Sequence, residues 1–151
     1  RIEAIRRILP GAGLSTDIIT GFCSETEEEH QETLSLMEWS QFDYAYMFKY
    51  SERPGTLASR KYPDDIDEAV KSRRLSEIIE LQSRLSHESN KKDIGKKSIV
   101  LVENFSKRSK DHMSGRNSEN KVVIIPRNNH QPGDYVEVTI VDCTPATLIG
   151  E

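Results

Sequence analysis

Apolar positions change their period twice along this chain. Ile2, Ile5, Ile8 and Leu9 recur at helical spacing, and Pro10-Gly11 ends that segment. Leu14 to Phe22 is a nearly continuous run of β-compatible residues, which predicts a buried strand. Thr26 and Glu29 then have the spacing of a capping box, in which each side chain satisfies an orphan N–H at a helix start, so a helix is predicted from Glu27 to Trp39. A second strand is predicted from Asp43 to Lys49. Trp39, Phe42, Tyr44, Tyr46 and Phe48 read as packing between helix and sheet. Strand, helix and strand in that order predict a βαβ unit of a parallel sheet. Tyr50 to Pro63 reads as an ordered loop. From Asp64 to Ser89 a long amphipathic helix is predicted, because Ile66, Val70, Leu75, Ile78, Ile79, Leu81 and Leu85 fall at helical spacing.

The polar run SHESNKKDIGKK closes that helix, and after it the period becomes two. Ser98 to Val102, Lys121 to Ile125 and Tyr135 to Val141 alternate or run apolar between Gly, Pro and Asn. The fold class expected is therefore α/β followed by all-β. About five short strands over the last third of the chain are expected to close into a small barrel, since an open sheet of that size would leave sticky edges.

Charge divides unevenly across the same boundary. Residues 1–90 carry 11 Lys and Arg against 17 Asp and Glu, whereas residues 91–151 carry 10 against 8, so the second part is the better nucleic-acid partner. Cys23 and Cys143 are the two cysteines, too few for a disulfide framework or a cysteine-ligated metal site. His30, His87, His112 and His130 lack metal-like spacing, and no metal site is expected. No run reaches the roughly 18 apolar residues that span a bilayer. The start, RIEAIRR, lacks the apolar stretch of a signal peptide, so no membrane partner and a cytoplasmic location are expected. The chain opens in what reads as mid-helix, and an upstream continuation is expected.

Several runs resemble one family. STDIITGFCSETEEEHQETL (Ser15 to Leu34), FDYAYMFKYSERPGTLA (Phe42 to Ala58) and RRLSEIIELQ (Arg73 to Gln82) resemble the late strands and closing helix of the radical-SAM barrel of methylthiotransferases. LVENFSKRS (Leu101 to Ser109), SGR (Ser114 to Arg116), NKVVIIP (Asn120 to Pro126), GDYVEVTIVD (Gly133 to Asp142) and the terminal TLIGE resemble the TRAM domain, a small RNA-binding β barrel. The resemblance implies the C-terminal part of a radical-SAM barrel over residues 1–92 and a five-stranded TRAM barrel over residues 93–151. STDII is more similar to the tRNA branch of the family, which adds a methylthio group to an N6-modified adenosine beside the anticodon. The alternatives are the branch that modifies a ribosomal protein, and a non-catalytic nucleic-acid-binding module. The resemblance further implies two 4Fe-4S clusters and S-adenosylmethionine, held by upstream segments. None is expected to be bound here, and the chain alone is expected to be inactive, because the cluster-binding cysteines are absent. A tRNA anticodon stem-loop is the implied partner, and self-association is expected through residues 14–50. Cys23-Ser24 departs from the Pro-Gly of the family, and Ile149 stands where a basic residue is common.

Loops that follow strands of a parallel α/β barrel carry its active site, so Gly21 to Thr26 and Tyr50 to Thr56 are the candidate loops. Asp17, a carboxylate in an apolar strand, either faces cofactor or substrate or holds a neighbouring loop by a hydrogen bond. Arg53 is a candidate phosphate or carboxylate clamp, Gly55 allows close backbone approach, and Ser51 and Thr56 are hydrogen-bond donors. A tight turn at Pro54-Gly55 explains the same residues. In the β module Phe105 with Lys107, Arg108 and Lys110 suits base stacking plus phosphate contact. Arg116 and Lys121 extend that patch. Arg127 and the Asn128-Asn129-His130 loop are weaker candidates.

Overall fold

The computed structural model describes all of residues 1–151. Its elements are α1 (Ile2–Ile8), β1 (Ser15–Thr20), α2 (Glu27–Ser40), β2 (Tyr44–Lys49), α3 (Leu57–Lys61), α4 (Glu68–Lys91), β3 (Lys97–Phe105), β4 (His112–Arg116), β5 (Val122–Pro126), β6 (Tyr135–Cys143) and β7 (Leu148–Gly150). They gather into two compact units: residues 14–85, and residues 1–13 together with residues 86–151.

In the unit of residues 14–85, β1 and β2 pair in parallel, with Ser15 opposite Tyr44 and Thr20 opposite Lys49. The capping box forms as the spacing requires: Thr26 N donates to Glu29 Oε2 at 2.8 Å and Glu29 N to Thr26 Oγ1 at 3.2 Å. Met37, Ile78 and Leu85 make the core, with Ile18, Leu34, Met47 and Leu81 packed against it. His30 is wholly buried, its Nε2 2.8 Å from Glu77 Oε2.

Strand side chains alternate between faces, so Ile18 and Met47 reach this core while Asp17, Ile19, Tyr46 and Phe48 point the other way. Ile19, Tyr46 and Phe48 are 59%, 57% and 55% exposed, and Trp39 is 53% exposed. The expected burial of these aromatics between two layers is thus corrected, because the sheet is covered on one face. The expected stretch of radical-SAM barrel is corrected as well: the parallel sheet has two strands and does not close. The segment expected as a loop contains α3, whose N-cap Thr56 accepts from Ser59 N at 3.2 Å. Helix α4 starts at Glu68 instead of Asp64. The preceding acids are used otherwise: Asp64 accepts from Lys71 Nζ at 2.5 Å, and Asp67 Oδ1 accepts from Ala69 N at 2.7 Å.

In the other unit the five strands close in the order β3-β4-β5-β7-β6, antiparallel except for β5 with β7. Val100, Val102, Met113, Val123, Ile125, Val138, Ile140, Cys143 and Leu148 fill the interior. Burying each aliphatic side chain stabilises the barrel by about 1.5–3 kcal/mol. Closure also requires places where no side chain stands. A Cβ on Gly115 would collide with the backbone of Leu101 and lie 2.7 Å from Val100 Cγ1, and one on Gly150 would lie 2.7 Å from Val138 Cγ2. At one end the last turn of α4 is tied to the barrel. Lys121 Nζ donates to Asp93 Oδ2 at 2.7 Å and to Ser89 Oγ at 2.9 Å, and Asn90 Nδ2 donates to Thr144 O at 2.9 Å.

A bulge changes the phase of β3. Val102 pairs with Gly115 but Asn104 pairs with Ser114, leaving Glu103 as the extra residue. Without it, strict alternation from the buried Val100 and Val102 would send Phe105 outward. With it, Phe105 stands opposite the wholly buried Met113 and continues the interior face at the mouth of the barrel.

Gly115→Ala is expected to lower stability by about 2–3 kcal/mol, since the obstruction is backbone and cannot swing aside. Gly11→Ala, which meets nothing within 4 Å, should stay within about 0.5 kcal/mol of the parent. Urea unfolding of the two variants checks this, and equal midpoints would contradict it.

Candidate nucleic-acid interface

The β3–β4 and β5–β6 connections leave the same end of the barrel, because β4 is antiparallel to both β3 and β5. Between them lies a cleft of about 570 Å³ lined by Phe105, Ser106, Lys107, Arg108, Ser109, Lys110 and Arg127. The alternation that buries Val123 and Ile125 puts Arg127 in phase with the interior, on the same mouth as Phe105. Its backbone N–H donates to Asp111 O at 2.9 Å, and its guanidinium lies over the Phe105 ring with Cζ 4.9 Å from the centroid. Local bonds shape the rest of the β3–β4 loop. Arg108 N donates to Ser106 Oγ at 3.4 Å, Asp111 N to Ser109 Oγ at 3.1 Å, and Ser106 N to His112 O at 2.9 Å.

Electrostatics separates this cleft from the rest of the barrel. Lys96 pairs with Asp93, Lys97 with Glu137, Arg116 with Glu103 and Lys121 with Asp93, at 3.1, 2.8, 3.6 and 2.7 Å. The side chains of Lys107, Arg108, Lys110 and Arg127 make no ion pair with a carboxylate, and Asp111 is the one acidic residue among them in sequence. Four cations concentrated without counter-charge around an exposed aromatic ring can neutralise phosphates and offer a stacking surface.

Residues 91–151 match the TRAM domain family. Over its whole length the chain is similar to tRNA-2-methylthio-N(6)-dimethylallyladenosine synthases: 60% identical to that of Phocaeicola vulgatus and 56% to that of Bacteroides fragilis over 151 residues, and 57% to that of Amoebophilus asiaticus over 152 residues. All of the chain is covered in these matches, but it spans about a third of the length of these curated relatives, 33%, 33% and 31%.

Of the residues singled out in the barrel sequence, the structure brings Phe105, Lys107, Arg108 and Lys110 together. Arg116 and Lys121 stand apart from the cleft: Arg116 also donates to Asn120 O at 2.9 Å, and Lys121 is one-tenth exposed in its tie to α4. Arg127 belongs in the group although its sequence neighbourhood recommends it weakly. The available signal was the phase of Val123 and Ile125, which predicts an interior-facing position two residues beyond.

Outside the barrel the candidates are dispersed over one unit. Asp17 is exposed on the open sheet face, directly opposite Tyr46 and beside Ile19. Ser51 and Arg53 are exposed, Gly55 takes a φ of +85°, and Thr56 Oγ1 both donates to Arg53 O at 2.9 Å and accepts from Ser59 N as the cap of α3. In the first candidate loop Ser24 takes a φ of +63° and fastens to Asp65 through N at 2.6 Å and Oγ at 2.9 Å, so the turn forms without glycine. Glu25 and Glu27 receive the buried Arg74, at 3.0 and 3.2 Å. Glu25 also accepts from Gly21 N. No three His, Cys, Asp or Glu side chains gather in a way that could hold a metal ion, and Cys23 and Cys143 are buried in separate units. The residues of this chain therefore do not fit an iron–sulfur cluster. No helix is long and apolar enough to cross a membrane.

The Arg73 guanidinium, 2.7 Å from Glu27, lowers the Glu27 carboxyl from its ordinary value of 4.5 to about 2. A depressed carboxylate contributes stability above its unfolded value and loses it as pH falls toward the folded one. The stability difference between the parent and Glu27→Gln is therefore expected to narrow as pH drops from 4.5 to about 2. Chemical denaturation at stepped pH checks this, and a constant difference would contradict it.

Proposed function

We propose that this chain serves as the RNA-holding C-terminal portion of a tRNA methylthiotransferase, which modifies an N6-modified adenosine next to the anticodon. The observation that carries the reading is the cluster of Lys107, Arg108, Lys110 and Arg127, free of carboxylate partners, around Phe105 in a TRAM barrel. Identity of 60% to a tRNA-modifying relative across the whole chain supports the substrate class. The anticodon stem-loop is the proposed partner and the cytoplasm the proposed location.

In this reading the boundary between the two functions lies at residues 92 and 93. The βαβ unit continues a parallel α/β sheet whose other strands are supplied elsewhere in a protein of the relatives' length. Its uncovered face, with Ile19, Tyr46 and Phe48, supports either coverage by those strands or self-association of the isolated chain. Asp17, Ser51, Arg53, Gly55 and Thr56 are proposed to face the reaction space in that larger assembly. Radical-SAM chemistry, with its two 4Fe-4S clusters and S-adenosylmethionine, is proposed to belong to residues other than these, leaving the chain inactive by itself.

Binding of an unmethylthiolated anticodon stem-loop, followed by fluorescence anisotropy, is expected to weaken steeply with salt. Lys107→Ala with Arg108→Ala should reduce the slope of log affinity against log salt by about 1.4–1.8, roughly 0.7–0.9 for each phosphate contact removed. An unchanged slope in the double variant would place the contact elsewhere, and no binding by the parent would remove the reading.

A further inference from the structure

Arg127 already occupies a position suited to a nucleobase. Its guanidinium is planar, makes no hydrogen bond or ion pair, and lies over the ring of Phe105, a residue that is 46% exposed. Both backbones are pinned: Phe105 is opposite Met113 in the β3–β4 ladder, and Arg127 N is bonded to Asp111 O. Only the flexible Arg127 side chain has to move for the Phe105 face to become available. A guanidinium stacks on a base as readily as on a phenyl ring, so the displaced side chain has a second surface to rest on.

We propose that Phe105 and Arg127 form a clamp for one unpaired RNA base, which enters between ring and guanidinium while Lys107, Arg108 and Lys110 hold the adjoining phosphates. The proposal deepens the RNA-binding reading of the cleft and rests on it. It restricts the ligand to single-stranded or looped RNA, because a base within a duplex is stacked on its neighbours and cannot enter. The cleft of about 570 Å³ has room for a small ligand of nucleotide size. Arg127 also shields the ring face in the absence of RNA, so its removal and its replacement by another cation have separable effects.

The test uses the 151-residue chain with a short single-stranded RNA carrying one 2-aminopurine, and the same RNA with abasic residues. The parent is expected to quench the 2-aminopurine and to bind the base-bearing RNA about tenfold more tightly than the abasic one. Arg127→Lys keeps the charge and loses the plane. It should erase most of that tenfold preference while leaving the salt dependence and the circular dichroism unchanged, and Phe105→Leu should do the same. If the parent binds both RNAs equally and Lys107→Ala with Arg108→Ala weakens both, the clamp is overturned and the RNA-binding cleft stands. If Arg127→Lys retains the full preference, the clamp is likewise overturned. If the parent binds neither RNA, the cleft reading fails and the clamp with it.

Discussion

One extra residue in β3 decides where the functional groups of the barrel point. Side chains on a strand alternate with period two, so inserting Glu103 moves every later residue of β3 to the opposite face. Phe105 thereby joins the interior side at the barrel mouth instead of the outer wall. The phase of β5, set by the buried Val123 and Ile125, brings Arg127 to the same mouth from two strands away. Arg127 Cζ lies 4.9 Å from the centroid of the Phe105 ring. Geometry, and not local sequence, makes the aromatic–guanidinium contact.

Charge pairing then sorts the cations by role. On the barrel wall and at the helix junction each cation named above sits on a carboxylate, and in the Lys121–Asp93 pair it is largely withdrawn from solvent. Such a group is neutralised toward a long-range anion and acts as a tie. The loop cations keep their charge available, and they sit where both connections converge. The mildly acidic net charge of −4 is no obstacle, since a local field within about a Debye length governs contact with phosphate.

The long-period elements could be read directly from the chain. The capping box at Thr26 and Glu29 marked the start of α2, and the heptad-like recurrence of Ile78, Leu81 and Leu85 marked α4, because those signals are local and redundant. Short strands were harder. β4 has Met113 as its one large apolar residue and β7 has three residues, so their pairing depends on partners that no window of the sequence contains. The aromatic run of β2 looked fully buried, yet a two-stranded sheet with helices on one side buries alternate residues only, leaving Tyr46 and Phe48 outside. For the site, Lys107, Arg108 and Lys110 were visible as a cluster because they are neighbours in sequence. That Arg127 lines the cleft while Lys121 is tied to Asp93 could not be read from the chain, because whether a cation has a carboxylate beside it is a tertiary fact.

The mouth set by the Glu103 bulge is the proposed place where RNA is held. Backbone amide chemical-shift mapping of the chain during titration with an anticodon stem-loop tests it most directly. The largest changes are expected within residues 105–110 and 127–131, with β7 and the α4 junction little affected. Changes confined to the outer wall of β3 and β6, or to residues 14–50, with the mouth silent, would contradict it.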